Sequence, residues 1–330
     1  MSLDLTLRLI ESVNATPAGS TALIDVSGSH DVSVAQRWAE ATGNTILTVH
    51  PGAVEILRGR MTDPIAALPP DRRPGYRLWL YTNFHCNLAC DYCCVNSSPR
   101  SVPRIVSSED TAELVRQATA AGVQELFITG GEPFMLLDLD ERLRAALPHL
   151  PTTVLTNAMV WQGERRKRLE ALPREGLTFQ ISLDSATAEL HDRHRGAGSF
   201  DRAIAGIRLA IELGFRVRVA ATLGHDAGTA EIELIELFDS LDLDEDQRVV
   251  RRVAQQGAAN EGLTVSRASL VPEVCATADG VWWHPVAAAD PAMQVSASWS
   301  PLDEVIDVVR DEYRQHRIRG DVLASSFPCA

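Results

Sequence analysis

Three cysteines close together are the most reactive group in this sequence. Cys86, Cys90 and Cys93 lie within eight residues of one another, directly after the apolar run Tyr76–Phe84. Thiolates are the usual protein ligands of iron–sulfur clusters. A four-iron cubane that is held by three cysteines has one iron without a protein ligand, and that iron can bind a substrate or a cofactor. The spacing therefore predicts a [4Fe–4S] site on these three residues.

A structural zinc site is the alternative, with Cys94 or His85 as the fourth ligand. Zinc sites of this kind usually combine one close pair of cysteines with a second, distant pair. The two remaining cysteines, Cys275 and Cys329, are far apart in the sequence and form no such pair. The thiols alone therefore favour an iron–sulfur cluster and leave zinc open.

A glycine-rich motif follows the next predicted strand, Gln124–Thr129. Gly130 and Gly131 would let the backbone approach a ligand closely, because glycine has no side chain. Glu132 follows them and offers a carboxylate to an ammonium group. A tight turn with a structural role is the alternative interpretation.

Polar residues also end the next two predicted strands. Thr156 and Asn157 end the strand that begins at Thr152, where they bind a ligand or cap the following turn. Ser182 and Asp184 are alternate residues at the end of the following strand, so they are predicted to point into the same site. There Asp184 would accept hydrogen bonds from ribose hydroxyls.

These motifs together resemble those of the radical S-adenosylmethionine (SAM) superfamily. The three-cysteine loop is similar to its cluster loop, and Gly-Gly-Glu-Pro is similar to its motif for the SAM amino group. The run from Asp184 to Phe200 resembles one common in SPASM and Twitch relatives and in molybdopterin-precursor cyclases. The resemblance implies that the open iron chelates SAM and that the reduced cluster cleaves it to a 5′-deoxyadenosyl radical. It further implies SAM contacts from Gly130, Gly131, Glu132, Thr156, Asn157, Ser182, Asp184 and Arg195.

His191 lies within that run and allows two interpretations. The first is a hydrogen-bonded residue of a helix, which the sequence favours because no second catalytic group pairs with the imidazole. The second is a zinc ligand or a general base.

Strands and helices alternate six times between residues 76 and 254, which predicts parallel strands with right-handed crossovers. An open doubly wound sheet and a partial barrel both place their sites at the carboxyl ends of strands. The resemblance to radical SAM proteins selects an α/β fold with a partial (β/α)6 TIM-type barrel. We therefore predict a small N-terminal α/β domain over residues 1–60, a linker over 61–75, the barrel over 76–260 and a C-terminal extension over 261–330.

The N-terminal domain is predicted to have the order βαβα. Its strands are placed at Ala22–Val26 and Thr45–Val49, and its helices at Val32–Thr42 and Gly52–Arg60. This pattern predicts a compact sheet with helices on one face.

The C-terminal extension resembles a reduced SPASM or Twitch domain, with a hairpin at Asp279-Gly280 and a helix over Pro301–Gln315. Such extensions carry auxiliary clusters on several cysteines, and only Cys275 and Cys329 remain here. Cys94 is expected to face away from the site, because adjacent side chains on an extended backbone point to opposite sides. We therefore predict one cluster, with Cys275 either packed in the core or donating hydrogen to a product radical.

Composition limits the possible functions and locations. The net charge is −13 and aromatic residues make up 5%, which argues against a nucleic-acid partner. No apolar run approaches the ~18 residues of a membrane span, and the N-terminus lacks the features of a signal peptide. The sequence therefore predicts a cytoplasmic protein with neither a nucleic-acid nor a membrane partner.

The expected function is that of a radical SAM enzyme acting on a small metabolite or a peptide. Such an enzyme takes its electron from a donor such as flavodoxin or ferredoxin. The alternatives are a non-enzymatic zinc-binding interaction protein and a relative of the molybdopterin-precursor cyclases. Those cyclases carry a second cysteine triad and a Gly-Gly tail, whereas this chain ends Phe-Pro-Cys-Ala.

Overall fold

The computed structural model describes residues 3–17, 19–59, 63–224 and 230–318. The chain divides into two compact units. The smaller unit contains the described residues up to Pro69 and those from Arg314 onward, and the larger unit contains those between Pro70 and Tyr313. None of the described helices is long and apolar enough to cross a membrane.

The smaller unit is built on a three-stranded antiparallel sheet in the order β1-β3-β2. Alternate residues of its strands, such as Ala22, Ile24, Val54 and Ile56, are buried in one apolar cluster with residues of two helices. This alternation is what a sheet with one buried face requires. The elements are α1 (Leu3–Ala15), β1 (Thr21–Asp25), α2 (Ser29–Ala41), β2 (Thr45–His50) and β3 (Ala53–Leu57).

Two features of this unit differ from the prediction. The helix predicted over Gly52–Arg60 is wrong, because Ala53–Leu57 is a strand that pairs with both β1 and β2. Val54 and Ile56 are β-branched and flank Glu55, an alternation typical of strands. The helix α1 was not predicted, although its buried apolar residues recur every four positions.

Six consecutive parallel strands, β4 to β9, form the centre of the larger unit. Helices connect them, as right-handed crossovers require. The arrangement confirms the predicted α/β fold with a partial (β/α)6 TIM-type barrel. The strands are β4 (Arg77–Tyr81), β5 (Glu125–Thr129), β6 (Thr152–Thr156), β7 (Leu177–Ser182), β8 (Arg216–Leu223) and β9 (Arg248–Arg252). The helices are α3 (Ser108–Ala120), α4 (Leu139–Ala146), α5 (Glu164–Glu170), α6 (Ala188–Arg195), α7 (Ser199–Glu212) and α8 (Ala230–Ser240).

The segment predicted as an extension adds three strands to the same sheet. Strand β10 (Cys275–Thr277) runs parallel to β4, and β11 (Gly280–Trp282) and β12 (Gln294–Ser296) continue it in antiparallel fashion. The predicted hairpin between β10 and β11 is therefore confirmed. Helix α9 (Leu302–Ile318) follows. Cys329 lies outside the described residues.

Candidate active site

A cleft of about 180 Å³ lies at the carboxyl ends of the barrel strands. The loop after β4 forms one wall, and the ends of β5 to β9 form the others. Most of the residues predicted from the sequence meet here. The cleft is lined by Cys86, Cys90, Cys93, Gly130, Gly131, Glu132, Thr156, Asn157, Ser182 and Arg195.

The loop after β4, residues 85–97, presents the three free thiols. It is a series of tight turns, in which the amide of Cys93 donates to the carbonyl of Cys90 at 3.2 Å. Two backbone amides donate to sulfur: Leu88 N to Cys86 Sγ at 3.4 Å, and Ser97 N to Cys93 Sγ at 3.2 Å. Such hydrogen bonds stabilise thiolates and tune the potential of an iron–sulfur cluster.

Burial disfavours the charged form of two of the three thiols, Cys86 and Cys90. Burial, with a smaller contribution from the nearby charge of Glu132, raises the pKa of Cys86 to about 12. Burial also raises the pKa of Cys90, against the opposing charge of Arg195. Metal binding would therefore release protons from this loop, as it does at thiolate sites generally.

The thiol set fits a cluster of several irons. Among the described residues, no group of three or more His, Cys, Asp or Glu side chains forms a ready-made site for a single metal ion. In a cubane each cysteine binds a different iron, so the thiols surround the cluster instead of meeting at one atom. Three free thiols at one cleft, two of them with N–H···S hydrogen bonds, are a suitable donor set for this group.

Cys94 also lines the cleft, contrary to the expectation that it faces away. The prediction assumed an extended backbone, but the residues around Cys94 form turns, to which strand alternation does not apply. Its sulfur lies 3.9 Å from the hydroxyl of Tyr81.

Gly130 and Gly131 lie close to other backbone atoms of the protein, whereas the sequence analysis predicted a close approach to a ligand. A Cβ atom on Gly131 would lie 2.2 Å from the carbonyl oxygen of His85, and one on Gly130 would lie 2.5 Å from that of Asn83. The glycines therefore let the end of β5 pack directly against the cysteine loop. The close partner is the backbone of the protein itself, while both glycines still line the cleft.

Glu132 is a buried carboxylate at the wall of the cleft, with 1% of its surface exposed. It accepts hydrogen bonds from Thr156 Oγ1 at 2.7 Å, Asn157 N at 2.8 Å and Phe134 N at 3.1 Å. Burial nevertheless raises its pKa to about 7, since a charge in a poorly solvated place is unfavourable. An ammonium group in the cleft would stabilise the ionised form.

Thr156 and Asn157 hold the neighbouring parts of the site together. Besides its bond to Glu132, Asn157 donates from Nδ2 to Asn87 Oδ1 of the cysteine loop at 2.8 Å, and accepts from Met159 N at 3.1 Å. They therefore cap the turn after β6 and line the cleft at the same time.

Asp184 does not line the cleft, whereas Ser182 and Arg195 do. Its carboxylate is bound by Arg195, by the hydroxyl of Tyr92 and by the backbone amide of Thr222 at 2.9 Å. Although burial acts in the opposite direction, the charge of Arg195 and these hydrogen bonds lower the pKa of Asp184. The geometry thus makes Asp184 a support for Arg195 and for Tyr92 of the cysteine loop.

The residues of the run from His191 to Phe200 make hydrogen bonds that hold α6 and α7 in place. The amide of Asp184 donates to His191 Nδ1 at 3.2 Å, and burial lowers the pKa of His191 to about 4, so its ring is neutral. This confirms the hydrogen-bonded histidine. Asp192 accepts from Gly198 N at 2.6 Å and Phe200 N at 2.8 Å, at the start of α7.

Gly257, which the sequence analysis did not identify as a site residue, packs against the backbone of the cysteine loop at Cys93 and Cys94. Its φ is +61°, and a Cβ atom there would lie 2.3 Å from the carbonyl oxygen of Cys93. The next amide, Ala258 N, donates to the same oxygen at 2.9 Å. The signal in the sequence was a glycine in the loop that follows the sixth barrel strand, β9.

We expect Gly257→Ala to lower the iron content of reconstituted protein by half or more. The added methyl group would displace the carbonyl of Cys93 and hence its thiol, at a cost of about 1–3 kcal/mol for the backbone conformation alone. Gly214→Ala is the matched control, because Gly214 also has a positive φ (+79°) but has nothing within 4 Å of the added Cβ. Equal iron contents in the two variants would contradict the role assigned to Gly257.

Cys275 lies outside the cleft. It is fully buried in β10, next to Trp79 of β4. This placement favours packing over hydrogen donation as its role.

Known proteins are similar to this chain over the segment that forms the cleft. The model of the Radical SAM superfamily matches residues 80–238. The chain is 33% identical over 168 residues to GTP 3′,8-cyclase of Synechococcus sp. (strain CC9902), covering 47% of this chain and 48% of that protein. It is 34% identical over 133 residues to mycofactocin maturase MftC of Mycobacterium tuberculosis (strain ATCC 25618 / H37Rv), covering 40% and 33%. The chain therefore spans half or less of the length of these curated relatives.

The fold is also similar to that of a solved protein, Streptococcus suis SuiB bound to S-adenosylmethionine. The TM-score is 0.50 with 20% identity, over 74% of this chain and 52% of that one. Fold, cysteine loop and family match together define a partial-barrel protein with a three-thiol site. Over residues 80–238 the chain is similar to the radical SAM superfamily.

Proposed function

We propose that this protein is an enzyme that binds a [4Fe–4S] cluster and SAM in the cleft and abstracts hydrogen from a substrate. The observation that supports this most directly is one cleft lined by three free thiols and the buried carboxylate of Glu132. The thiols suit the cluster, and the carboxylate suits the ammonium group of SAM.

Each residue has a distinct part in this proposal. Cys86, Cys90 and Cys93 hold three irons, and Glu132 binds the SAM ammonium group. Ser182 and Arg195, together with Thr156, Asn157 and the backbone at Gly130 and Gly131, orient the rest of SAM. When bound, the reduced cluster would supply the electron that splits SAM into the hydrogen-abstracting radical.

The protein must also exclude water from the cleft, because a reactive radical would otherwise undergo side reactions. Apolar and aromatic side chains line the cleft beside the thiols: Trp79, Leu88, Val95, Leu155 and Val286. We assign them the role of keeping the reacting atoms dry.

The partners are proposed by class. The substrate is a small molecule or a peptide, and the electron donor is a one-electron carrier such as flavodoxin or ferredoxin, which places the activity in the cytoplasm. A GTP cyclase and a mycofactocin maturase among the relatives support a broad substrate class. Cys275 is proposed to pack in the core.

Anaerobic reconstitution tests the proposal. We expect about four irons per chain, an absorbance near ~400 nm, and 5′-deoxyadenosine on addition of reductant and SAM. Tightly bound zinc in place of iron, with no 5′-deoxyadenosine, would refute the enzyme and support an interaction protein. About eight irons would refute the prediction of a single cluster.

A further inference from the structure

A second cavity, of about 280 Å³, lies at the opposite end of the barrel, where its strands begin. Its charged lining residues are Arg77, Glu125, Arg216, Arg218 and Asp246. None of the residues assigned to the cluster or to SAM belongs to it. In TIM-type barrels this end usually serves stability rather than catalysis, so a cavity rich in arginine needs its own explanation.

Two of the three arginines have a carboxylate partner within the cavity. Arg77 Nε lies 2.9 Å from Glu125 Oε2, and Arg216 Nη2 lies 2.5 Å from Asp246 Oδ2. The charges of these two pairs cancel.

Arg218 has no such partner. Within the described part of the chain no carboxylate forms an ion pair with it, and its buried Nε atom has no hydrogen-bond acceptor. The cavity therefore has one guanidinium group in excess.

The sequence of β8 places Arg218 inside the barrel. Its neighbours Val217 and Val219 are buried, and Arg216 and Arg218 lie on the alternate face, which lines the cavity. The backbone register puts Arg218 beside Gln180 of β7. Interior positions of such barrels are usually filled by apolar residues, so an arginine here is an exception.

An unpaired cation in this place is unfavourable. Burial, together with the positive charge of Arg77 and a smaller contribution from Arg216, lowers the pKa of Arg218, while Glu125 and Asp246 oppose the shift. A partly buried charge without a partner destabilises the fold, and a bound counter-ion would remove that cost.

We propose that this cavity is a binding site for a phosphate group, with Arg218 as its principal ligand. Planar guanidinium groups match the oxygens of phosphate in pairs. Thr153 and Thr178 also line the cavity and supply hydroxyl donors from β6 and β7. A tetrahedral anion has oxygens for donors on several sides, whereas a carboxylate has only two, so the arrangement favours phosphate. The phosphate comes either from inorganic phosphate or from a phosphorylated metabolite.

The test measures the melting temperature, Tm, of the cluster-loaded protein during titration with inorganic phosphate at constant ionic strength. We expect a saturable increase of about 2–4 °C for the wild type, as for ligands that bind only the folded state. Arg218→Gln should have the same Tm as the wild type or a higher one without phosphate, and should not respond to it. Arg208→Gln, which changes an exposed arginine of α7, should respond like the wild type.

Further ligands separate the two sources of phosphate. A larger shift with adenosine monophosphate or glucose 6-phosphate than with inorganic phosphate would assign the site to a phosphorylated metabolite, and the reverse order would assign it to free phosphate. An equal shift with acetate would overturn the phosphate assignment.

Two results would overturn the site itself. The first is no response of wild-type Tm to any of these phosphates. The second is an equal response in Arg218→Gln. Should Arg218→Gln fail to fold, calorimetric titration of the wild type and of Arg218→Lys decides the matter: about tenfold weaker phosphate binding in the lysine variant is expected, because lysine keeps the charge but loses the paired donors. Equal affinities would refute the role of Arg218.

Discussion

Cys90→Ala protein is expected to show neither the ~400 nm absorbance of a cluster nor any formation of 5′-deoxyadenosine above background after anaerobic reconstitution. Each of the three cysteines holds one iron in the proposed site, so the loss of one thiolate exposes a second iron to solvent. The loop is shaped around these thiols by its own turns and by N–H···S hydrogen bonds. The measurement is an absorbance spectrum and a chromatographic assay of the SAM cleavage product.

Cys94→Ala is the matched control for this variant. Cys94 lies in the same loop and lines the same cleft, and burial raises its pKa to about 12. If the cluster uses only the other three thiols, Cys94→Ala should keep its iron and its SAM cleavage. A cluster that survives in Cys90→Ala but is lost in Cys94→Ala would show that the ligand set has been assigned wrongly.

The sequence predicted the location of the site better than the orientation of its side chains. Parallel strands bring their carboxyl ends to one edge, so motifs that follow successive strands had to meet there. That argument needs only the order of strands, and it correctly grouped Glu132, Asn157 and Ser182 with the thiols. It cannot say which atoms each side chain contacts.

Asp184 and the glycines show what sequence patterns miss. Strand alternation predicted that Asp184 and Ser182 share a face, but Asp184 lies beyond the end of β7, where the chain no longer alternates. It bonds instead to Arg195, which lies close to it because the short helix α6 ends there. The close approaches of Gly131 and Gly257 likewise involve the cysteine loop, a tertiary contact that no local pattern reveals.

The prediction of a helix in the N-terminal unit was wrong for a different reason. The segment Ala53–Leu57 is so short that the alternation of Val54 and Ile56 about Glu55 does not by itself decide between a strand and a helix turn. The strand forms because β1 and β2 are both available to pair with it. Pairing between distant segments therefore decided the secondary structure there.

Glu132→Gln is expected to weaken SAM binding by about 10- to 100-fold while the iron content stays near that of the wild type. A charge-assisted hydrogen bond contributes about 1.5–3 kcal/mol, which corresponds to this range of affinity. The substitution preserves the shape of a side chain that is 1% exposed, so its main effect is to remove the negative charge facing the proposed ammonium group. Calorimetric titration of cluster-loaded protein with SAM measures the change.

The experiment must separate two effects of this substitution: the loss of hydrogen bonds within the protein and the loss of the negative charge. Its carboxylate also accepts from Thr156 and from the amides of Phe134 and Asn157, and the glutamine amide cannot accept all three hydrogen bonds. We therefore expect Tm to fall as well, and the iron content shows whether the cleft remains intact. Glu170→Gln, at an exposed ion pair of α5, controls for the loss of one negative charge. Unchanged SAM affinity in Glu132→Gln protein with full iron content would mean that Glu132 only holds the turns after β5 and β6 together, and that another group binds the SAM ammonium.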